Sequence, residues 1–338
     1  MLDNKGIRIK EFNNCKASID KWYNKENKII SIITNPYNTN LIFTDIIQKL
    51  ISEKKKVLYV LSDEKYGKNI IEYLRKKDLK FTYSYVKEEI IQSDVTIVNY
   101  QNIDKIKEFY DLVIIDDISS YSNISNDEIV RAMECIYIYS KKIIIYTMER
   151  VIKVGYYLEV SDLIRKNLFV EPRFITTRVN LDEDIPYLLY DYLIWFREMK
   201  RKVIIYVPTE EKVNNIYNYY VDKLKLRDIK IIKYLNRFTD KDVENIYKIK
   251  DKTVFIITQN LINCDFEDMD IVVLYCDNKQ YNYKKLTYLS TGIKNDKNII
   301  QKREVILVSN EISDDMDKSK ELIRSYNKKI WEKGLLNS

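Results

Sequence analysis

The chain contains the run Leu112-Val113-Ile114-Ile115-Asp116-Asp117, in which four apolar residues lead directly into two acids. Short apolar runs of this kind are typical of strands that are buried on both faces of a parallel sheet. In folds that transfer phosphate, such a strand delivers carboxylates to its C-terminal end, where they hold a metal ion against a nucleotide. The run therefore predicts a parallel α/β fold, with Asp116 and Asp117 at an edge that suits nucleotide chemistry.

Similar runs alternate with amphipathic helical patterns along all 338 residues. Strands are predicted in the first half at 29–34, 57–61, 95–99, 112–116 and 143–147, and in the second half at 203–207, 230–233, 254–258, 271–275 and 304–308. Helices are predicted at 41–52, 68–77, 127–140, 185–199, 211–224, 240–248 and 317–333. Alternation of this kind is typical of α/β architecture. We predict two tandem RecA-like parallel-sheet domains, the P-loop NTPase or helicase fold, at 1–170 and 171–338.

Composition excludes several classes of protein. Charged residues make up 32% of the chain and hydrophobic residues 46%, which argues against a disordered protein. No run of 18 apolar residues is present, and the first ten residues have no apolar core of a signal peptide. The cysteines at 15, 135, 264 and 276 are too far apart for a zinc pair, and the chain has no histidine. We expect a cytoplasmic protein with reduced thiols, and the net charge of +6 permits a polyanionic partner.

The segment after the first predicted strand is where a loop that binds phosphate is expected. It reads Thr34-Asn35-Pro36-Tyr37-Asn38-Thr39-Asn40. It has no glycine to let backbone amides wrap a phosphate and no lysine to contact the β- and γ-phosphates. Pro36 has no amide hydrogen to donate. Thr39 still offers a hydroxyl to Mg²⁺. The alternative is an ordinary connection between a strand and a helix, with Thr39 in the first turn of the helix.

The acids and two further segments complete the candidate chemistry. Asp116 is expected to bind Mg²⁺ through water, and Asp117 to orient the attacking water, although acids that end a strand without any metal remain an alternative. Thr147 follows the fifth strand, where a motif that couples the nucleotide to nucleic acid is expected. The segment 290–295 lies where arginine fingers are expected, and its one cation is Lys294. Loss of an arginine finger costs about 10³ to 10⁵ in rate.

Over residues 28–336 the chain resembles the ComFA-type late-competence helicases of helicase superfamily 2. Residues 110–121 resemble the family's strand and DEVDAFP motif, and residues 203–209 resemble the "FVPT" strand of its second lobe. Residues 255–266 and 270–274 resemble the "TTTILERGVTF" segment and the strand after it. The departures fall on functional positions: Asn38 stands where the loop lysine belongs, Asp117 replaces a glutamate, and the residues at 262–264 replace a glutamate, an arginine and a glycine. The family's zinc element with four cysteines is absent from this sequence.

The resemblance assigns roles to individual residues. It implies nucleotide contacts from Thr34, Asn38 and Thr39, and Mg²⁺ contacts from Thr39 and Asp116. It implies coupling or nucleic-acid contacts from the four residues Thr147, Pro208, Thr209 and Thr258. It also implies handling of single-stranded DNA at the inner face of the membrane, together with proteins of the competence machinery.

The sequence therefore favours a helicase-like DNA-binding protein whose ATPase motifs are degenerate and inactive. ATP and Mg²⁺ are its cofactors only if it is active, and single-stranded DNA is expected to bind weakly and without sequence preference. Three alternatives stay open. The protein is an active ATP-dependent translocase with altered motifs, a regulatory or structural partner of an active paralogue, or an unrelated two-domain α/β protein.

Overall fold

A computed structural model describes residues 4–62, 67–76, 80–86, 92–119, 124–161, 163, 168–225, 227–235, 239–249, 251–260, 269–292 and 303–335. The chain separates into two compact units. Unit 1 comprises Met1–Lys166 together with Lys328–Ser338, and unit 2 comprises Asn167–Asn327. The assignment of 1–170 and 171–338 as two functional lobes stays a prediction.

The described part of unit 1 contains a parallel sheet of seven strands. In chain order they are β1 (Ile29–Ile33), β2 (Val57–Leu61), β3 (Tyr83–Val86), β4 (Val95–Asn99), β5 (Tyr110–Asp116), β6 (Ser140–Thr147) and β7 (Tyr156–Glu159). Their spatial order is β3-β4-β2-β5-β6-β1-β7. The helices are α1 (Asn4–Tyr23), α2 (Thr44–Ser52), α3 (Gly67–Arg75) and α4 (Asn126–Tyr137).

The inner strands of this sheet form because both of their faces are covered by apolar side chains. Every residue of β1 and β2 is buried. On one face, Val113, Ile115, Ile143 and Ile145 pack with Ile129 of α4 in a single core. A capping box begins α4: the hydroxyl of Ser125 accepts from the amide of Glu128, and the Glu128 carboxylate accepts from the amide of Ser125.

Unit 2 is built in the same way. Its described strands are β8 (Arg173–Thr176), β9 (Lys202–Tyr206), β10 (Ile229–Tyr234), β11 (Thr253–Thr258), β12 (Met269–Val273) and β13 (Val305–Ser309). They form a parallel sheet in the order β10-β11-β9-β12-β13-β8. The helices are α5 (Tyr187–Glu198), α6 (Glu210–Asn218), α7 (Asp240–Tyr247), α8 (Tyr283–Thr291) and α9 (Asp314–Glu332), and a π-helical turn follows α6 at Tyr219–Leu224. The residues of α9 from Lys328 onward belong to unit 1. The predicted α/β class with two parallel sheets is confirmed.

The N-terminal helix α1 is held by the C-terminal residues of unit 1. The Arg8 guanidinium donates to the carbonyl of Leu335 at 2.9 Å, and Lys333 pairs with Glu11. On the inner side of α1, Ile19 and Trp22 are almost completely buried. None of the helices that the structure describes is both long enough and apolar enough to cross a membrane.

Gly155 sets the entry into the edge strand β7. Its φ of +90° lies in the left-handed region, which favours glycine. A Cβ atom at this position would lie 2.6 Å from the carbonyl oxygen of Ile29. The absence of a side chain therefore lets β7 pair with β1.

Candidate functional site

The sequence-predicted residues of unit 1 come together at the C-terminal edge of its sheet. Strand β6 lies between β1 and β5, and the register pairs Ile33 with Thr147 and Asp116 with Tyr146. Two backbone hydrogen bonds extend this alignment beyond the strands. The amide of Thr34 donates to the carbonyl of Thr147 at 3.0 Å, and the amide of Asp117 donates to that of Tyr146 at 2.9 Å. Thr34, Asp116, Asp117 and Thr147 therefore share one edge.

The connection from β1 to α2 keeps an unusual backbone shape. Tyr37 has a φ of +60°, a left-handed conformation that glycine adopts most easily. Its amide donates to the carbonyl of Ile118, beyond the end of β5, at 3.0 Å. The loop is thus attached to the segment after β5 by a hydrogen bond from the Tyr37 amide, and this amide is not available to donate to a phosphate.

Asn38 occupies the position where the resemblance places the loop lysine, and its side chain is 2% exposed. Its amide group donates to the hydroxyl of Thr34 at 2.8 Å and to the carbonyl of Ser161 at 2.9 Å. Its carbonyl oxygen accepts from the amides of Thr39 at 2.8 Å and of Leu163 at 3.2 Å. An asparagine side chain has two donor hydrogens and two acceptor lone pairs. All four are satisfied inside the protein.

The threonines of the site have structural partners as well. The Thr34 hydroxyl donates to the carbonyl of Val160 at 2.7 Å. The Thr39 hydroxyl accepts from the amide of Leu41 and caps the short 3-10 helix Asn40–Phe43. The Thr147 hydroxyl donates to the carbonyl of Glu149 at 2.7 Å. Thr39 is the one of the three that is not fully buried.

Asp116 is completely buried and surrounded by donors. One carboxylate oxygen accepts from the amides of Ile118 and Ser119, at 3.0 and 2.9 Å. The other accepts from the hydroxyls of Tyr59 and Ser119, both at 2.5 Å. Burial raises the pKa of Asp116, and the hydrogen bonds from Ser119 and Tyr59 act against that shift. Each oxygen already receives two hydrogen bonds, so a hydrated Mg²⁺ ion could bind only by displacing them.

Asp117 is also completely buried. Its charge acts on Tyr100. Burial raises the pKa of the Tyr100 hydroxyl well above its ordinary value, and the negative charges of Asp117 and Asp116 raise this pKa further. Among the described residues, no cluster of three or more carboxylates or thiols is arranged to hold a metal ion. At this edge, the carboxylate oxygens of Asp116 are occupied by hydrogen bonds from within unit 1.

A cavity of about 330 Å³ lies beside the loop. Its lining residues are Tyr37, Asn38, Thr39, Asn40, Leu41, Glu72, Tyr73, Lys76 and Ser119. The cation of this lining, Lys76, follows helix α3 rather than the loop. The sequence patterns gave no role to Lys76, Tyr73, Tyr59 or Ser119, because nothing in their local spacing shows that they approach residues 37–41 or Asp116.

The sequence-predicted residues of unit 2 lie at the C-terminal edge of its own sheet. Strand ends Tyr206 and Thr258 are paired, and the amide of Val207 donates to the carbonyl of Thr258 at 3.0 Å. The hydroxyl of Thr209 accepts from the amide of Lys212 and caps α6, with the buried Pro208 just before it. The Thr258 hydroxyl accepts from the amide of Asn260 at 3.0 Å. Residues 262–264 and 293–295, which the sequence also singled out, lie outside the described residues.

Beside this edge, Asp182 joins three segments of unit 2. It pairs with Lys212 of α6 and accepts hydrogen bonds from the Tyr275 hydroxyl at 2.9 Å and the Asn215 amide at 3.3 Å. Burial alone would raise the pKa of Asp182, but the hydrogen bonds from Lys212, Tyr275 and Asn215 outweigh it, and the net pKa is lowered. Asp182 is therefore an ionised structural group.

Comparison with known proteins places the fold. No family model and no curated protein sequence matches the chain. Among solved structures, the E. coli DExH-box NTPase HrpB aligns with 87% of this chain at a TM-score of 0.56 and 8% identity. Mss116p bound to ssRNA and AMP-PNP aligns with 94% of this chain at a TM-score of 0.51 and 12% identity. RecG bound to a three-way DNA junction aligns with 94% of this chain at a TM-score of 0.51 and 10% identity.

These likenesses are likenesses of fold. The chain covers 40% of the HrpB chain, 44% of the RecG chain and 75% of the Mss116p chain. The two parallel sheets match the tandem RecA-like domains of these DExH-box and DEAD-box helicases. The predicted fold class of two tandem RecA-like parallel-sheet domains is thereby confirmed.

Proposed function

We propose that this protein is a helicase-fold protein that binds single-stranded nucleic acid and no longer hydrolyses ATP. The observation that carries the proposal is the complete internal satisfaction of Asn38. A loop lysine contributes a cation to the phosphates, whereas this asparagine ties the loop to Ser161 and Leu163. A triphosphate would meet a neutral side chain whose donors are already used.

The acidic strand supports the same conclusion. Asp116 accepts four hydrogen bonds from within unit 1, and three of them come from the turn after β5. Such a carboxylate stabilises the turn rather than a metal ion. In this proposal Asp116 and Asp117 are remnants of a catalytic pair that now have structural roles.

Binding of nucleic acid is proposed from the fold together with the charge. Mss116p is described with ssRNA and RecG with a three-way DNA junction, and the chain carries a net charge of +6. We expect weak binding without sequence preference, and a steep loss of affinity with salt because lysines would contact phosphates. The resemblance to ComFA-type helicases adds the finer part of the proposal, which is single-stranded DNA during DNA uptake, at the inner face of the membrane and with competence proteins.

Titration calorimetry with ATP and Mg²⁺ tests the loss of the nucleotide site. We expect no saturable heat in the micromolar range and no phosphate release, with or without a single-stranded oligonucleotide. Micromolar binding, together with phosphate release that Asp116→Asn abolishes in a folded variant, would overturn the proposal. Circular dichroism of the variant shows whether it is folded.

A second function is favoured by the cavity beside Thr39. Lys76 and the Thr39 hydroxyl both line it, so a nucleotide phosphate could meet a cation there that the loop itself lacks. In that case the protein is an active translocase with an altered site. Comparison of Lys76→Ala with the parent protein decides between the two, because ATP binding that disappears on loss of Lys76 supports the translocase.

A further inference from the structure

Lysines precede or begin five neighbouring strands at the N-terminal edge of the sheet in unit 1. The strands lie side by side in the order β2-β5-β6-β1-β7. We define the lysine edge as residues 25–28, 53–56, 107–111, 137–142 and 153–156. Because neighbouring strands are about 4.8 Å apart, this edge spans about 19 Å.

Each of the five strands contributes one exposed lysine to the lysine edge. In the spatial order of the strands these are Lys54, Lys107, Lys141, Lys25 and Lys153. Within the part of the chain that the structure describes, none of them forms an ion pair. In total the lysine edge holds nine lysines and four acids. Two of those acids are neutralised locally, since Glu53 pairs with Lys55 and Glu108 with Lys56.

Charged groups of the lysine edge act on one another. Burial lowers the pKa of Lys142, the neighbouring charge of Lys141 lowers it further, and the carboxylate of Glu26 acts in the opposite direction. The opposite, C-terminal edge of the same strands carries the acids Asp116, Asp117 and Glu159. Lysines thus outnumber acids at the lysine edge, whereas carboxylates lie at the opposite ends of β5 and β7.

Aromatic rings are interleaved with these lysines. The ammonium group of Lys28 lies 3.9 Å from the ring centroid of Tyr137, and that of Lys25 lies 5.2 Å from the ring of Tyr156. Tyr137 is 43% exposed, Tyr156 is 41% exposed and Phe109 is 55% exposed. Cations beside exposed rings are the combination by which proteins hold single strands, because phosphates bind the cations and bases stack on the rings.

We propose that the lysine edge binds single-stranded nucleic acid, with the exposed lysines on phosphates and Phe109, Tyr137 and Tyr156 as stacking surfaces. This inference rests on the nucleic-acid binding in the proposed function and assigns it to a surface. The surface is the edge opposite the one that carries Asp116 and the loop. A membrane surface is less well matched, because the exposed aliphatic residues Ile138 and Val154 lie on loops two strands apart.

The test compares two variants of equal charge by fluorescence anisotropy with a labelled oligo-thymidylate. The edge variant carries Lys25→Glu, Lys107→Glu and Lys141→Glu. The control carries Lys248→Glu, Lys252→Glu and Lys279→Glu, which change exposed lysines of unit 2. We expect the edge variant to bind at least about tenfold more weakly. The slope of log K against log salt concentration is expected to become less steep by about 2, since three contacts to single-strand phosphates are lost. The control is expected to stay within about threefold of the parent protein, because it removes no phosphate contact from the lysine edge.

A second variant tests the rings without changing charge. Phe109→Ala is expected to weaken binding by about fivefold or more, as loss of a stacked base does. Equal affinity of the edge variant and the control would overturn this inference and leave the proposed function standing. Absence of oligonucleotide binding by the parent protein would overturn both. Sedimentation with phosphatidylserine vesicles that depends on Ile138 and the same lysines, without oligonucleotide binding, would replace the proposed partner by a membrane.

Discussion

Asn38 connects two stretches of unit 1 that are more than 120 residues apart in sequence. A lysine at this position would have three donors and no acceptor, so it could not receive the amides of Thr39 and Leu163. The segment around Ser161 would then lose its attachment to the loop. The exchange of lysine for asparagine therefore changes the loop from a binding element into part of the internal framework.

Replacement of Asn38 measures this role directly. We expect Asn38→Ala to lower the free energy of unfolding of unit 1 by about 3 kcal/mol, because several buried partners lose their hydrogen bonds at once. Denaturant unfolding followed by circular dichroism measures the change. Asn24→Ala is the matched control: Asn24 is exposed, its amide bonds one backbone carbonyl, and we expect a change within about 0.5 kcal/mol. Equal effects of the two replacements would contradict the assigned role.

Sequence patterns predict part of the site and miss the rest for a physical reason. Thr34 follows β1, whereas Asp116 and Thr147 end β5 and β6. Because the ends of parallel strands meet at one edge, their proximity follows from the pattern. The hydrogen bond from Tyr59 to Asp116 joins the interior of β2 to the end of β5. Such a partner depends on strand order, which local periodicity does not specify.

At the scale of elements, the buried strands were predicted, and of the four edge strands of the described sheets β10 was predicted as well. Strands β2 and β4 begin and end where the apolar runs predict. Three edge strands were missed, β3, β7 and β8. Strand β7 reads Tyr-Tyr-Leu-Glu and has no buried residue, whereas the isoleucines of the edge strand β10, which reads Ile-Lys-Ile-Ile-Lys-Tyr, mark it as a strand. Pairing with a neighbour, rather than burial, makes β7 extended.

Helices show the same limit of sequence patterns. Helix α1 was not predicted: its buried positions include the polar side chain of Arg8 as well as Cys15, Ile19 and Trp22. Helix α8 was missed because hydroxyls replace apolar groups on its buried side. Thr287 and Thr291 donate to the carbonyls four residues earlier, both at 2.7 Å, and so satisfy themselves within the helix.

The junction at Asp182 gives a prediction that depends on pH. The pKa of Asp182 is lowered in the folded protein, so its ionised form contributes stability above its unfolded pKa of about 3.9. That contribution is lost as pH falls through the lowered folded value. We expect Asp182→Asn to destabilise unit 2 by about 1 to 2 kcal/mol at pH 7 and to cost progressively less at acid pH.

Unfolding of Asp182→Asn at a series of pH values checks this expectation. Asp191→Asn serves as the control, because Asp191 is exposed on α5 and lies outside the junction. A penalty for Asp182→Asn that stayed constant down to pH 2 would show that the charge of Asp182 is not what stabilises the junction.

At the scale of the whole molecule, each unit has its own buried core. Domains with separate cores unfold as separate cooperative units. We therefore expect two transitions in guanidinium chloride. Trp22 is buried in unit 1, and Trp195 packs on the core of unit 2. In the variant Trp195→Phe, the fluorescence of a buried tryptophan therefore reports the unfolding of unit 1.

Asn38→Ala should then move only the transition that Trp22 reports. Asp182→Asn should move only the transition of unit 2, which Trp195 reports and which is therefore no longer seen in the fluorescence of Trp195→Phe. A single transition that both replacements displace equally would show that the two units unfold as one cooperative body.

Gly155 has a consequence for how copies of this protein avoid one another. Any larger residue there would push β7 away from the carbonyl of Ile29 and leave the backbone of β1 without its outer neighbour. Strand β1 reads Ile-Ile-Ser-Ile-Ile, a stretch of the kind that assembles into cross-β fibrils when its edge is open. We expect Gly155→Val to raise thioflavin T fluorescence on mild warming, whereas Gly334→Ala, where no atom lies within 4 Å of the added carbon, should stay soluble. The absence of a Cβ atom at position 155 thus keeps β7 paired with β1 and prevents β1 from pairing with other copies of the chain.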